Sequence, residues 1–108
     1  MNAKNIIVIL LLLTLVGCAS IDVTKTAKGF YDPTDPNEVQ ILKTIPNRPY
    51  EELGTITAVK FGAHDTAKMH NAIRAKSAPL GATAVILTQE GIDKNGKRWA
   101  MGVAIRYR

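Results

Sequence analysis

The side chains of this 108-residue chain that carry reactive groups are few and widely spaced. His64 and His70 are its two histidines, and with Asp65 and Met69 between them they suggest a transition-metal site. Ligands presented by one helical face stand three or four positions apart, and these imidazoles are further apart than that. Asp65 is more simply a helix N-cap and Met69 a core residue, which leaves His64 and His70 as metal candidates without a ligand motif. Ser20 and Ser77 are the two serines, and neither is placed beside a histidine, so no serine triad is expected. Glu51 and Glu52 are adjacent, which in an extended segment sends their carboxylates to opposite faces and rules out an acid/base pair. No phosphate-cradling glycine loop, dinucleotide fingerprint or zinc spacing is present. The expectation is a protein that is not an enzyme and carries no cofactor.

The remaining reactive group is Cys18, the single cysteine. Lys4 supplies a short positive region before it, and Ile6 to Val16 an almost unbroken apolar run. That is the pattern of a signal peptide. The run, as a helix rising ~1.5 Å per residue, spans about 16 Å, roughly half of a bilayer core, so removal fits better than a permanent span. It ends in Leu15-Val16-Gly17-Cys18, which resembles the lipobox of bacterial lipoproteins. The resemblance implies that the Cys18 thiol receives a diacylglycerol, that residues 1–17 are cleaved, and that Cys18 becomes a triacylated first residue. Two or more acyl chains anchor stably where one is marginal. Ala19 follows the cysteine in place of the aspartate that favours inner-membrane retention in Gram-negative lipoproteins. By the same resemblance, that implies an outer-membrane location facing the periplasm.

Removing Lys4 with residues 1–17 lowers Lys+Arg from 14 to 13 against 9 Asp+Glu, a net charge of +4. Partners of opposite charge in that compartment are anionic lipid headgroups, anionic wall polymer or an acidic protein surface. A solvated basic surface kept for solubility accounts for the charge equally well. Nucleic acid is not an expected partner.

Residues 18–37 read as the lipidated cysteine and a flexible tether, since Ala19 to Asn37 are mostly polar or small and end in the turn-forming run Asp32-Pro33-Thr34-Asp35-Pro36-Asn37. Fully extended, such a tether reaches about 60 Å. Residues 38–108 then form one α+β domain, a small, mainly antiparallel four-stranded sheet with one helix in the order β-β-α-β-β. The first strand is predicted over Glu38 to Thr44 and the second over Glu52 to Phe61. The helix follows from Thr66 to about Ala78, after Asp65 as N-cap, with Met69, Ala72, Ile73 and Ser77 on its inner face, and Pro79 and Gly81 end it.

The last two strands can be placed in register. Asp93-Lys94-Asn95-Gly96-Lys97 fits a three-residue loop with Gly96 left-handed. Pairing Asp93 with Lys97 sets Gly91 against Trp99, Gln89 against Met101, Leu87 against Val103 and Val85 against Ile105, with the large apolar residues on one face. Ile86, Thr88, Ala100, Gly102 and Ala104 fall on the other. A strip as small as Ala100, Gly102 and Ala104 suits either a contact face for another chain or a floor covered by the domain's own helix or tether.

Tyr50-Glu51-Glu52-Leu53-Gly54-Thr55-Ile56, followed by a helix and Leu80-Gly81-Ala82-Thr83-Ala84-Val85-Ile86, resembles the small α+β domains of the RcsF outer-membrane stress-sensor lipoprotein and the YbjQ-like proteins. The resemblance spans roughly residues 50–105 and brings no catalytic residue with it. The disulfide-forming cysteines of the sensor lipoprotein have no counterpart here. The expected function is a membrane-anchored envelope lipoprotein that binds another protein or its own copies; a ligand- or metal-binding envelope sensor is the alternative. A disulfide-free domain of this size has a limited core and often gains from self-association.

Overall fold

The computed structural model describes residues 18–108; the expected signal segment, residues 1–17, lies outside the described residues. The chain is α+β, with one α-helix and a five-stranded mixed sheet. Strand β1 is Ser20–Lys25, β2 is Gln40–Leu42, β3 is Tyr50–Phe61, helix α1 is Thr66–Ser77, β4 is Ala84–Ile92 and β5 is Arg98–Tyr107. Across the sheet the order is β1-β3-β5-β4-β2. Strand β3, α1 and β4 make a split β-α-β unit, because β5 inserts between the two strands and pairs antiparallel with both.

Two elements differ from the sequence expectation. The tether is not flexible from its start: Ser20–Lys25 pairs antiparallel with β3, Ser20 opposite Val59 and Lys25 opposite Gly54. Ile21 and Val23 turn toward the helix side, where they pack on the core. The chain after β1 is also docked. The amides of Thr26 and Ala27 donate to the Leu53 carbonyl, and Thr34 donates from N to Ala78 O at 2.9 Å and from Oγ1 to Ala82 O at 2.5 Å. The Asp-Pro run does make a turn, a 3-10 segment Pro36–Glu38 capped by Asp35 Oδ1, which accepts from Asn37 N at 2.9 Å. The first predicted strand shrinks to three residues, and β2 runs parallel to β4 rather than in an antiparallel pair.

The helix packs one face on the sheet. Met69, Ile73 and Ser77 are buried, as their spacing predicts, against Leu53, Ile56 and Phe61 of β3 and Val85 and Leu87 of β4. Ser77 is tolerated there because its hydroxyl donates back to the Ile73 carbonyl at 2.6 Å. Asp65 stands at the N-cap position without bonding a helix amide through its side chain. The helix tightens into a 3-10 turn at Ala78–Leu80 and stops at Gly81, whose φ of 86° is left-handed. A side chain at Gly81 would meet Tyr31 Cβ at 2.6 Å, so the docked segment and the helix end fix one another.

The hairpin has the predicted three-residue loop. Asp93 N donates to Lys97 O at 2.7 Å, Gly96 N donates to Asp93 O at 3.0 Å, and Gly96 sits at φ 76°. Asp93 Oδ1 accepts from the amides of Asn95 and Lys97 at 2.8 and 2.9 Å. Nothing lies within 4 Å of a Cβ built on Gly96, so Gly96→Val tests backbone strain alone. It is expected to cost about 1 kcal/mol or more in chemical denaturation. Asn95→Asp should change stability by less than about 0.5 kcal/mol.

Beyond Gly91–Trp99 and Gln89–Met101 the predicted register fails. A bulge at Thr88 moves the partners by one, so Leu87 faces Gly102, Ile86 faces Val103 and Val85 faces Ala104. The extra residue turns Val85 and Leu87 to the helix side and leaves Trp99, Met101, Val103 and Ile105 on the other side of the sheet. There Ile105, Ala84 and Ile86 form a second small core with Leu42, Tyr50, Val103 and Tyr107. Arg48, from the link between β2 and β3, stacks over the Tyr107 ring at 3.9 Å. Trp99 is therefore half-buried rather than a core residue, and Met101 is 43% exposed.

Candidate anchoring site and charged edge

Cys18 is exposed and stands two positions before the first residue of β1. One residue, Ala19, separates it from the sheet, so Cys18 and Ser20 Cα atoms are at most ~7 Å apart. Strand β1 leads away from the cysteine, which places Cys18 at the sheet end where β3 finishes, since Ser20 is opposite Val59. Phe61 at that end is opposite Arg98, so the Asp93–Lys97 loop projects from the same end. Helix α1 also begins there, after the turn at residues 62–65. Lys60 ends a β3 bulge at φ 64°, a left-handed value uncommon for a residue with a side chain. Among the described residues no helix is long and apolar enough to cross a membrane.

The two histidines lie in different settings. His64 is exposed in the turn before α1, and His70 is half-buried on the second turn. Among the described residues no group of three or more His, Cys, Asp or Glu is placed to hold a metal ion. His70 faces a mainly cationic neighbourhood: Arg74 on its own helix, Lys43 after β2, and Arg98 of β5, with Glu90 of β4 as the opposing charge. Its Nε2 is buried without a hydrogen-bond partner. Lys43 Nζ is 2.7 Å from Glu90 Oε1 and holds that carboxyl below its ordinary range.

Burial, reinforced by Arg74 and Lys43, pushes the His70 imidazole below its ordinary value near 6.5. The unfolded chain then binds more protons than the folded one just below pH ~6.5, so stability rises with pH across that window and falls as pH drops through it. His70→Gln is expected to flatten the pH dependence of the melting temperature just below pH ~6.5. An unchanged slope would mean that His70 is not the titrating group.

The small-residue strip is internal. Ala100 and Ala104 are 1% and 0% exposed and belong to the core under α1, and Gly102 is buried between them. A Cβ on Gly102 would lie 2.7 Å from Ile86 O and 3.1 Å from Val85 Cγ1. Of the two readings of Ala100, Gly102 and Ala104, the exposed contact face is thus corrected: the strip is a buried floor, with Val85 and Leu87 of β4 packed over Gly102. Glu51 has a structural role, accepting a hydrogen bond from the Tyr31 hydroxyl while the Arg106 guanidinium lies 4.6 Å from the Tyr31 ring centroid. The Glu51 carboxylate raises the Tyr31 phenol above its ordinary value. The aromatic pair Phe30-Tyr31 in an otherwise polar run is the sequence signal for local docking of this segment; Tyr31 docks, whereas Phe30 stays 87% exposed.

These features define a small α+β domain of split β-α-β type, with an exposed cysteine at one end of the sheet and a charged loop beside it. Its fold is similar to that of FvfA, a Francisella virulence factor whose crystal structure in an orthorhombic form covers 81% of this chain and 97% of its own, with a TM-score of 0.61 and 15% sequence identity. At that identity the likeness is one of fold. No protein-family model matches the chain, and no curated protein does.

Proposed function

We propose that this chain is a membrane-anchored envelope lipoprotein, held by lipid on Cys18, whose domain is a non-enzymatic module for binding another protein or its own copies. The observation that carries the reading is the coincidence of the Leu15-Val16-Gly17-Cys18 motif with an exposed Cys18 immediately before the first strand. A peptidase and acyl transferases need an accessible cysteine, and cleavage there would remove no part of the sheet. Ala19 points the protein to the outer membrane, facing the periplasm. The association surface lies outside the Ala100–Gly102–Ala104 strip, since that strip is core.

The test is the intact mass of the protein extracted from membranes, together with crosslinking before extraction. A chain beginning at Cys18 with added acyl mass and a crosslinked partner or dimer supports the reading. An unacylated chain sinks the anchor; an acylated chain that crosslinks to nothing sinks the module.

A further inference from the structure

The end of the domain that carries Cys18 is also its basic end. Lys60, Lys68, Lys94, Lys97 and Arg98 gather there on the end of β3, the first turn of α1 and the β4–β5 loop, against Asp65, Asp93 and Glu90, the last of which is paired with Lys43. Asp93 is turned into its own loop, accepting the Asn95 and Lys97 amides. The opposite end carries Lys25, Lys28, Arg48, Lys76, Arg106 and Arg108, but five of the nine carboxylates, Asp32, Asp35, Glu38, Glu51 and Glu52, lie toward it as well and nearly balance them. Ile92, 47% exposed, sits beside the basic loop. Cations around an exposed aliphatic side chain are the combination that binds anionic lipid headgroups while burying apolar surface at the acyl boundary.

Geometry removes the freedom to avoid that contact. Ser20 is level with Val59, so Cys18, two residues earlier, is about level with Phe61, while the Asp93–Lys97 loop begins where Arg98 meets Phe61 and projects further. With a single residue between the acylated cysteine and β1, the loop reaches the headgroups as soon as the lipid is inserted. We propose that this end of the domain rests directly on anionic phospholipid headgroups, with Lys60, Lys94 and Lys97 on the phosphates and Ile92 at their edge, so that the sheet stands upright on the membrane. The proposal rests on the lipid-anchor reading. Each lysine close to an anionic surface strengthens such contact by roughly five-fold, and salt screens it.

The experiment uses the full chain purified from membranes and placed in vesicles of phosphatidylcholine alone or with phosphatidylglycerol, footprinted by amine acylation and read by mass spectrometry. Lys28 and Lys76, at the other end, are internal controls. In the mixed vesicles Lys60, Lys94 and Lys97 should be acylated several-fold more slowly than the controls, and high salt or neutral vesicles should remove much of that difference. A triple variant, Lys60→Gln, Lys94→Gln and Lys97→Gln, should keep its melting temperature and its lipid, while amide exchange at Asn95 and Gly96 becomes independent of phosphatidylglycerol. Equal labelling at both ends of a chain whose intact mass shows acylated Cys18 overturns this proposal and leaves the anchor standing. A bare Cys18 with salt-sensitive shielding overturns the anchor and leaves the basic end as a peripheral lipid site. A bare Cys18 without shielding overturns both.

Discussion

Gly102→Arg is expected to unfold the domain, with loss of the cooperative thermal transition and of most β-sheet circular dichroism. Gly102 lies in the central strand under α1, flanked by Ala100 and Ala104, and the space a first side-chain atom would need is taken by Ile86 O at 2.7 Å, Val85 Cγ1 at 3.1 Å and Leu87 Cδ2 at 3.3 Å. A backbone carbonyl in a paired strand moves only if the pairing moves. Even Gly102→Ala should therefore cost about 1–3 kcal/mol by overpacking. Arginine adds a buried charge without a partner, several kcal/mol more. A domain of this size commonly has ~5–10 kcal/mol in total, so the charged variant exceeds or nearly exceeds the reserve. A folded Gly102→Arg protein with wild-type melting would show that this strip is not core.

Cys18→Ala is expected to move the protein out of its lipid-anchored state altogether, with intact mass lower by the full acyl modification and residues 1–17 retained or misprocessed. Anchoring by several acyl chains is close to permanent, whereas the basic end alone gives a reversible, salt-sensitive association. High-salt washing of membranes should thus leave the wild type in the pellet and release whatever fraction of Cys18→Ala no longer has an inserted segment. The change should alter the domain's stability little, because Cys18 is exposed and outside every strand. Equal intact masses for the two proteins, allowing only for the substitution, would sink the lipid-anchor reading.

Elements defined by local chemistry were legible in the sequence. Gly96 and Asp93 dictate their own loop, the 3.6-residue spacing of Met69, Ile73 and Ser77 fixes the buried helix face, and Pro79 with Gly81 ends the helix. What depends on a distant partner was not. The bulge at Thr88 adds one residue to β4 relative to β5, and no local propensity marks it; its effect was to reverse which side of the sheet Val85 and Leu87 occupy. Strand β2 has three residues and takes its identity from a parallel neighbour, β4. Strand β1 did leave a trace, since Ile21 and Val23 alternate with Ser20, Asp22 and Thr24, but two apolar residues are too few to outweigh a polar context. At the candidate site, the lipobox-like motif was visible at once, whereas the one-residue gap between Cys18 and the sheet required β1 to be seen. That gap turns a supposed 60 Å leash into none.

The free edge of β1 acquires a direction from this arrangement. Among the described residues no strand pairs with its outer side, and such an edge ordinarily invites antiparallel pairing with another copy. Antiparallel partners, however, start from opposite ends. If every copy is rooted in one leaflet at the start of β1, as proposed, all copies point this edge the same way, and an antiparallel pair would lift one anchor out of the bilayer to the height of Lys25. The lipid would then act as a sorting rule for assembly, permitting side-by-side contacts between upright copies and forbidding the edge-to-edge ribbons open to the same chain once it is cut free.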